Sequence, residues 1–126
     1  MRASRTNTLR ELRRRSKTIN EILQAAGFVE NVTYTQTVFV KPPQRTFVVY
    51  VDDVDADGSD YTTDIFTHSI RFELYAPNRA DAAAEERLET ALRSRGIHYN
   101  KLGRSWLESE RYFLTTYYFD FTEKEI

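Results

Sequence analysis

The sequence predicts an α+β fold: a mostly antiparallel sheet of four to five strands with two helices packed on one face. Three observations carry this. Ile70, Phe72 and Leu74 alternate with Ser69, Arg71, Glu73 and Tyr75, the period of two of a strand with one apolar face. Ala84, Leu88, Ala91 and Leu92 then recur at helical spacing, with Glu85, Glu86, Arg87, Glu89 and Arg93 expected to face water. Finally, residues 111–121 form the longest strand, rich in Phe, Tyr and Thr. The full order is helix, three strands, helix, two strands, which suits helices layered on a single sheet.

The elements follow in order. Residues 8–27 read as a helix, because Leu9, Leu12, Ser16, Ile19, Leu23 and Ala26 recur at steps of three and four. Two starts compete, since Thr8 with Glu11 and Thr18 with Glu21 both form capping boxes. The second gives a short helix over 19–26, and Gly27 is the stop in either case. Residues 1–6 are expected to be disordered in the free protein. Residues 1–17 are thus a basic extension or the first part of helix 1, ahead of a single α+β domain over 18–126. Residues 32–40 form the first strand, with Val32, Tyr34, Val38 and Val40 on one face and Thr33, Thr35, Thr37 and Phe39 on the other. Pro42 and Pro43 end it in a rigid turn that suits a hairpin. Residues 47–51 are apolar on both faces, which argues for a central strand or a second packed layer.

Residues 52–64 read as an acidic loop, after which the chain is extended to Ala76. Pro77 and Asn78 break that strand. Asn78 caps a helix over 79–95, with Asp81 at its third position and Gly96 as a left-handed stop. An extended run from Ile97, a turn at Gly103 and a second run through Trp106 and Leu107 lead to the last strand. There Phe113, Thr115, Tyr117, Phe119 and Phe121 share one side, and Tyr112, Leu114, Thr116 and Tyr118 the other. One side covers the helices. The other needs a partner from this chain or from another subunit.

With 126 residues the chain is long enough for one core. It has no cysteine, which excludes disulfides, thiolate chemistry and Cys-built metal centres. No run reaches membrane-spanning length, and the basic amino terminus lacks the apolar stretch of a signal peptide. The net charge of -1 conceals a segregation. Residues 1–17 carry Arg2, Arg5, Arg10, Arg13, Arg14, Arg15 and Lys17 against Glu11 alone, whereas residues 52–64 carry six aspartates and no base. Such separated charge steers assembly or binds opposite surfaces; alternatively, each segment is simply solvated. The eight tyrosines and eight phenylalanines suggest an aromatic core and a large protein interface.

Candidate chemistry is sparse. Asp53, Asp55, Asp57, Gly58 and Ser59 match the opening of a calcium loop, with Asp64 at the twelfth position where a longer Glu is expected. A strand precedes it instead of a helix. The competing readings are an acidic flexible loop and a loop that docks on a basic partner. His68 and His98 have no spacing that requires a shared zinc or catalytic site. Glu108 and Glu110 pair on one stretch without an evident cleft. There is no nucleophile elbow and no phosphate-cradling glycine loop. The basic face of helix 1 (Arg10, Arg13, Arg14, Lys17) can meet phosphates, but the aromatics lack the neighbouring positive charge of a stacking platform. No catalytic residue and no cofactor is assigned. The interface candidates are Arg10, Arg13, Arg14, Arg15, Lys17, Asp52, Asp53, Asp55, Asp57, Asp60, Tyr112, Leu114 and Tyr118.

Several blocks together resemble the tail terminator, or tail completion, proteins of long-tailed bacteriophages. They are Thr18-Ile-Asn-Glu-Ile-Leu-Gln-Ala-Ala-Gly27, Phe47-Val-Val-Tyr-Val-Asp-Asp53 and Ile70-Arg-Phe-Glu-Leu-Tyr75. Glu85-Glu-Arg-Leu-Glu89, Gly96-Ile-His-Tyr99, Trp106-Leu-Glu-Ser-Glu110 and the strand at 111–121 complete the set. The order and spacing of blocks across 18–121 carry the resemblance. It implies a small α+β structural virion protein that forms a ring, commonly a hexamer, at the head-proximal end of the tail tube. The ring stops tube polymerisation and joins the head connector, with no enzymatic step. The implied partners are further copies of this chain, the tail tube protein and the head connector or head-completion protein. For the basic helix face, incidental contact with packaged DNA is a further expectation, and no membrane partner is expected. The implied location is the head–tail junction of the virion, reached by assembly in the host cytoplasm. The 52–64 segment resembles the family's variable loop, and the extension before Thr18 departs from the shortest members. The alternatives are another head-closure or minor tail protein, or a non-viral cytoplasmic protein-binding module.

Overall fold

The computed structural model describes residues 17–57 and 64–125. Its elements are α1 (Lys17–Ala25), β1 (Tyr34–Gln36), β2 (Phe47–Asp57), β3 (Asp64–Pro77), α2 (Ala82–Ser94), β4 (Asn100–Leu107) and β5 (Tyr112–Glu125). The five strands form one sheet in the order β1-β2-β3-β5-β4. Three of the four pairings are antiparallel, and β1 alone runs parallel to its neighbour. Both helices lie on one face. Ile19, Ile22, Leu23 and Ala26 from α1 and its end meet Ala84, Leu88, Ala91 and Leu92 from α2 over Val48, Tyr50, Ile70, Phe72, Leu74, Tyr117 and Phe119. The expected α+β architecture is therefore present.

The hydrophobic stripe explains α1. Its buried positions continue the spacing of three and four to Ala26, and Gly27 adopts a φ of 94°, a conformation that only glycine takes without strain. Lys17 is already helical, so Thr18 is not the cap that the shorter reading requires. The reading of a helix from Thr8 lies outside the described residues up to position 16.

Four expectations about the strands need correction. First, the strand expected over 32–40 is limited to Tyr34–Gln36, because Thr37 turns to a φ of 74° and leaves the ladder. Tyr34 is buried, but Val32, Val38 and Val40 are exposed. Second, Pro42 and Pro43 do not make a hairpin. Residues 37–46 instead return the chain across the helix-free face so that β2 pairs parallel with β1, and Phe39 packs edge-on against Phe47 at 5.4 Å. This segment supplies the second layer that the two-sided apolar pattern of residues 47–51 demanded. Third, the described part of the acidic stretch expected as a loop over 52–64, residues 52–57 and 64, is strand. Asp52 pairs with Ile70, Asp53 with Ser69, and the ladder continues to Asp57 and Ile65. Fourth, Gly103 is not a turn. It lies in a bulge of β4 between Leu102 and Ser105, and the reversal comes later, where the Arg111 N–H donates to the Leu107 carbonyl at 2.7 Å.

The start of α2 is also shifted. Asp81, not Asn78, is the cap: its carboxylate accepts from the Ala84 N–H at 3.0 Å and from the Thr46 hydroxyl at 2.6 Å. Asn78 sits at a φ of 69° and its N–H donates to the Arg111 carbonyl, so it belongs to the turn that holds β3 against the end of β5. One carboxylate thus fixes both a helix end and the end of the crossover. Asp81→Ala should lower stability by about 1 to 2 kcal/mol, and Asp81→Asn by less, in urea denaturation.

Candidate assembly surface

The two sheet faces have different chemistry because alternate residues point to opposite sides. The helix face holds a buried polar network as well as the apolar core. Glu85, expected to face water, is only 4% exposed. Its carboxylate accepts from Arg104 Nε at 2.8 Å and Nη2 at 3.1 Å, from Lys101 Nζ at 3.2 Å and from the Thr115 hydroxyl at 3.1 Å. Glu89 also turns inward. It accepts from the Tyr117 hydroxyl at 2.8 Å and lies 2.7 Å from Lys101 Nζ.

The bulge makes this network possible. Lys101 is opposite Tyr117 and Leu102 opposite Thr116, and after the extra residue Ser105 is opposite Leu114. Without the bulge, strict alternation would send Arg104 to the far face. With it, Arg104 and Lys101 both reach α2, and the β4 edge strand is tied to the helix. Burial alone raises the Glu85 and Glu89 carboxyls, but the hydrogen bonds from their basic and hydroxyl partners outweigh it and hold both below the ordinary carboxylate value. Burial, helped by the Glu89 carboxylate, pushes the Tyr117 phenol up.

A second polar pair sits where the β2–β3 ladder leaves the core. His68 Nδ1 lies 2.9 Å from both oxygens of Asp52, with side chains 0% and 1% exposed, and the His68 ring stacks on Phe121 at 4.6 Å. Asp52 therefore serves this internal contact and is not available as the exposed interface residue expected from sequence. His98 is elsewhere, exposed in the stretch after α2. Among the described residues, no three His, Cys, Asp or Glu side chains gather to hold a metal ion.

The helix-free face divides along the strands. At one end, Phe39 and the sheet residues Phe47, Tyr75 and Tyr112 of β2, β3 and β5 form an aromatic cluster, with Phe47 stacked on Tyr75 at 5.1 Å and edge-on to Tyr112 at 5.6 Å. A groove of about 280 Å³ runs beside it, bordered by Pro42, Leu107, Glu73 and Glu110. The Tyr75 hydroxyl donates to Glu73 at 2.9 Å, and burial together with this carboxylate raises the Tyr75 phenol. Further along the β4–β5 ladder the sheet carries exposed apolar groups. Leu102 is 52% exposed and Tyr118 41% exposed, two residues that sit diagonally across the β4–β5 ladder.

The other sequence candidates fall as follows. Tyr112 and Leu114 are half-buried, the first inside the aromatic cluster, and Tyr118 is exposed as expected. Lys17 opens α1 in an exposed position and Asp53 is exposed on β2. Asp55 and Asp57 continue the β2 ladder opposite Thr67 and Ile65, and Asp64 opens β3. That extended backbone differs from the tight loop in which a calcium site would gather Asp53, Asp55 and Asp57. Ser59, Asp60, Arg10, Arg13, Arg14 and Arg15 lie outside the described residues. No protein-family model matches this chain, and no curated protein matches it. Sequence reasoning overlooked Leu102 and Val40 as surface groups. The available signal was an apolar residue on a strand whose neighbours, Asn100, Lys101, Arg104 and Ser105, are otherwise polar.

Proposed function

We propose that this protein is a structural subunit that caps the head-proximal end of a long phage tail, stops tube polymerisation and presents the surface to which the head connector joins. The observation that supports this best is the asymmetry of the sheet. Its helices shield one face, while the other face keeps exposed Leu102 and Tyr118 beside the edge of β4, which has no second strand partner among the described residues. A ring subunit needs two unlike surfaces that meet head to tail, because a self-complementary patch would stop at a dimer. Segregated charge adds to this: the aspartates of residues 53–64 and the basic groups of residues 1–17 suit different partners, the tube on one side and the connector on the other. In this reading the ring is a hexamer, it acts at the head–tail junction after assembly in the host cytoplasm, and it performs no reaction.

The test is electron microscopy of tails assembled with and without the protein. Overlong or headless tails in its absence, returned to normal length and joining by adding the purified chain, are the expected result. Tails of normal length that join heads without it would overturn the reading.

A further inference from the structure

We propose that the segment Val38-Phe39-Val40 of one copy adds as a short strand to the β4 edge of the next copy, so that Val38 and Val40 cover Leu102 and Tyr118. The inference rests on the self-associating part of the reading above, and on four observations.

The first is a strand-forming segment without a sheet. Val38, Phe39 and Val40 have the β-branched and aromatic composition of a strand. Yet no backbone hydrogen bond joins Phe39 or Val40 to any other described residue. Phe39 tucks against Phe47, whereas Val38 is 64% exposed and Val40 is 99% exposed. The Val38 N–H donates to the Gln36 carbonyl, so the segment offers two exposed valines with free backbone at Phe39 and Val40, the features that a neighbouring edge satisfies together.

The second is an edge of matching length. β4 pairs only with β5, and its backbone groups on the other side have no strand partner among the described residues. Its regular part before the bulge is Asn100–Leu102, the same three-residue span as Val38–Val40. The bulge limits addition to that span, which favours a short defined strand over open-ended edge pairing. The third is charge. Lys101 and Arg104 would repel a neighbour if free, but Glu85 and Glu89 already pair with them. The edge therefore offers backbone and Leu102 without an unmatched row of cations.

The fourth is placement. β4 is a margin of the sheet, whereas Val38 and Phe39 border the groove on its helix-free face. The valine segment leaves β1 and crosses the helix-free face, the same face that carries Leu102 and Tyr118. The valine segment and the β4 edge are unlike patches, so their contact is heterologous, and it propagates from copy to copy and closes when the rotation permits.

Sedimentation of the purified chain and two variants tests the interface. The wild-type chain should form oligomers. Val40→Asp and Leu102→Asp should each weaken association about a hundredfold and give single chains, with circular dichroism and melting temperature unchanged. An equimolar mixture of the two variants should recover a dimer and nothing larger, because one retains an intact β4 edge and the other an intact valine segment. A wild-type chain that stays monomeric at about 1 mM, a variant that assembles like the wild type, or a mixture that stays monomeric would each overturn the proposal. If either aspartate variant fails to fold, the milder Val40→Ser and Leu102→Ser pair serves in the same mixture. The two proposals fail separately. Normal tails without the protein, together with an oligomer that obeys the mixing rule, would remove the terminator role and keep the interface. Overlong tails without the protein, cured by Val40→Asp as well as by the wild type, would do the reverse.

Discussion

Glu85→Ala should destabilise the domain by about 2 kcal/mol in urea denaturation, one of the two largest single effects expected here. The carboxylate is buried and accepts four hydrogen bonds from Arg104, Lys101 and Thr115. Removing one partner of a buried pair commonly costs about 3 to 5 kcal/mol. The expected loss is smaller because Arg104 and Lys101 are each more than a third exposed and regain water. Glu85→Gln keeps the shape but removes the charge, and should fall between the wild type and alanine.

The same network gives stability a pH dependence of definite sign. The Glu85 and Glu89 carboxyls lie below the ordinary value in the folded state. Their contribution is therefore complete above the unfolded carboxylate pKa, about 4.3, and is lost as pH falls through the lower folded values. Lys101 runs the other way. Its hydrogen bond to Glu89 raises its pKa against some desolvation, so its contribution is complete below the unfolded lysine value and is lost as pH rises through the folded one. Melting temperatures across acid pH should show the wild type losing stability more steeply than Glu85→Gln. Equal slopes would mean that Glu85 is not the linked group.

Asp52→Ala should cost about 3 kcal/mol, the largest loss among the polar substitutions, because both members of the pair are buried. The substitution removes the carboxylate that faces His68 Nδ1 at 2.9 Å with both oxygens, in a place where neither side chain reaches water. Asp52→Asn keeps an acceptor and should cost about 1 kcal/mol. The loss should be felt at the root of the β2–β3 hairpin, since Asp52 pairs with Ile70 and His68 stacks on Phe121 of β5. Amide exchange should therefore accelerate first at Val51–Asp53 and His68–Ile70. Uniform acceleration across α2 would show that the pair supports the whole core instead.

The two residues also show where sequence reasoning ends. Asp52 belongs by composition to a run of aspartates, and such a run reads as a solvated loop. Its burial depends on β2 continuing through it, which places it on the helix face beside a histidine sixteen positions later. Glu85 sits at a helical position adjacent to the apolar stripe, where a charge normally faces water. It turns inward to meet Lys101, Thr115 and Arg104, the last brought round by a bulge in an edge strand. Neither partner is visible from local spacing, since both contacts join elements distant in sequence. The candidate surface was half legible. Tyr118 stood out as an aromatic residue on the second face of the last strand, whereas Leu102 and Val40 acquired meaning only once the edge and the crossover were placed.

By itself the sequence determined the number and order of elements, the two amphipathic helices, the two-sided apolar strands and the stops at Gly27 and Gly96. These follow from periodicity and from backbone preferences, which act within a few residues. Only the tertiary structure decided that β1 runs parallel to β2, that the acidic stretch extends the ladder, that Gly103 is a bulge, and that Glu85 and Asp52 lie inside. Those outcomes depend on which strands become neighbours. That choice is made by burial of the whole apolar surface at once and by the need to pair every buried charge, and no window of sequence contains it.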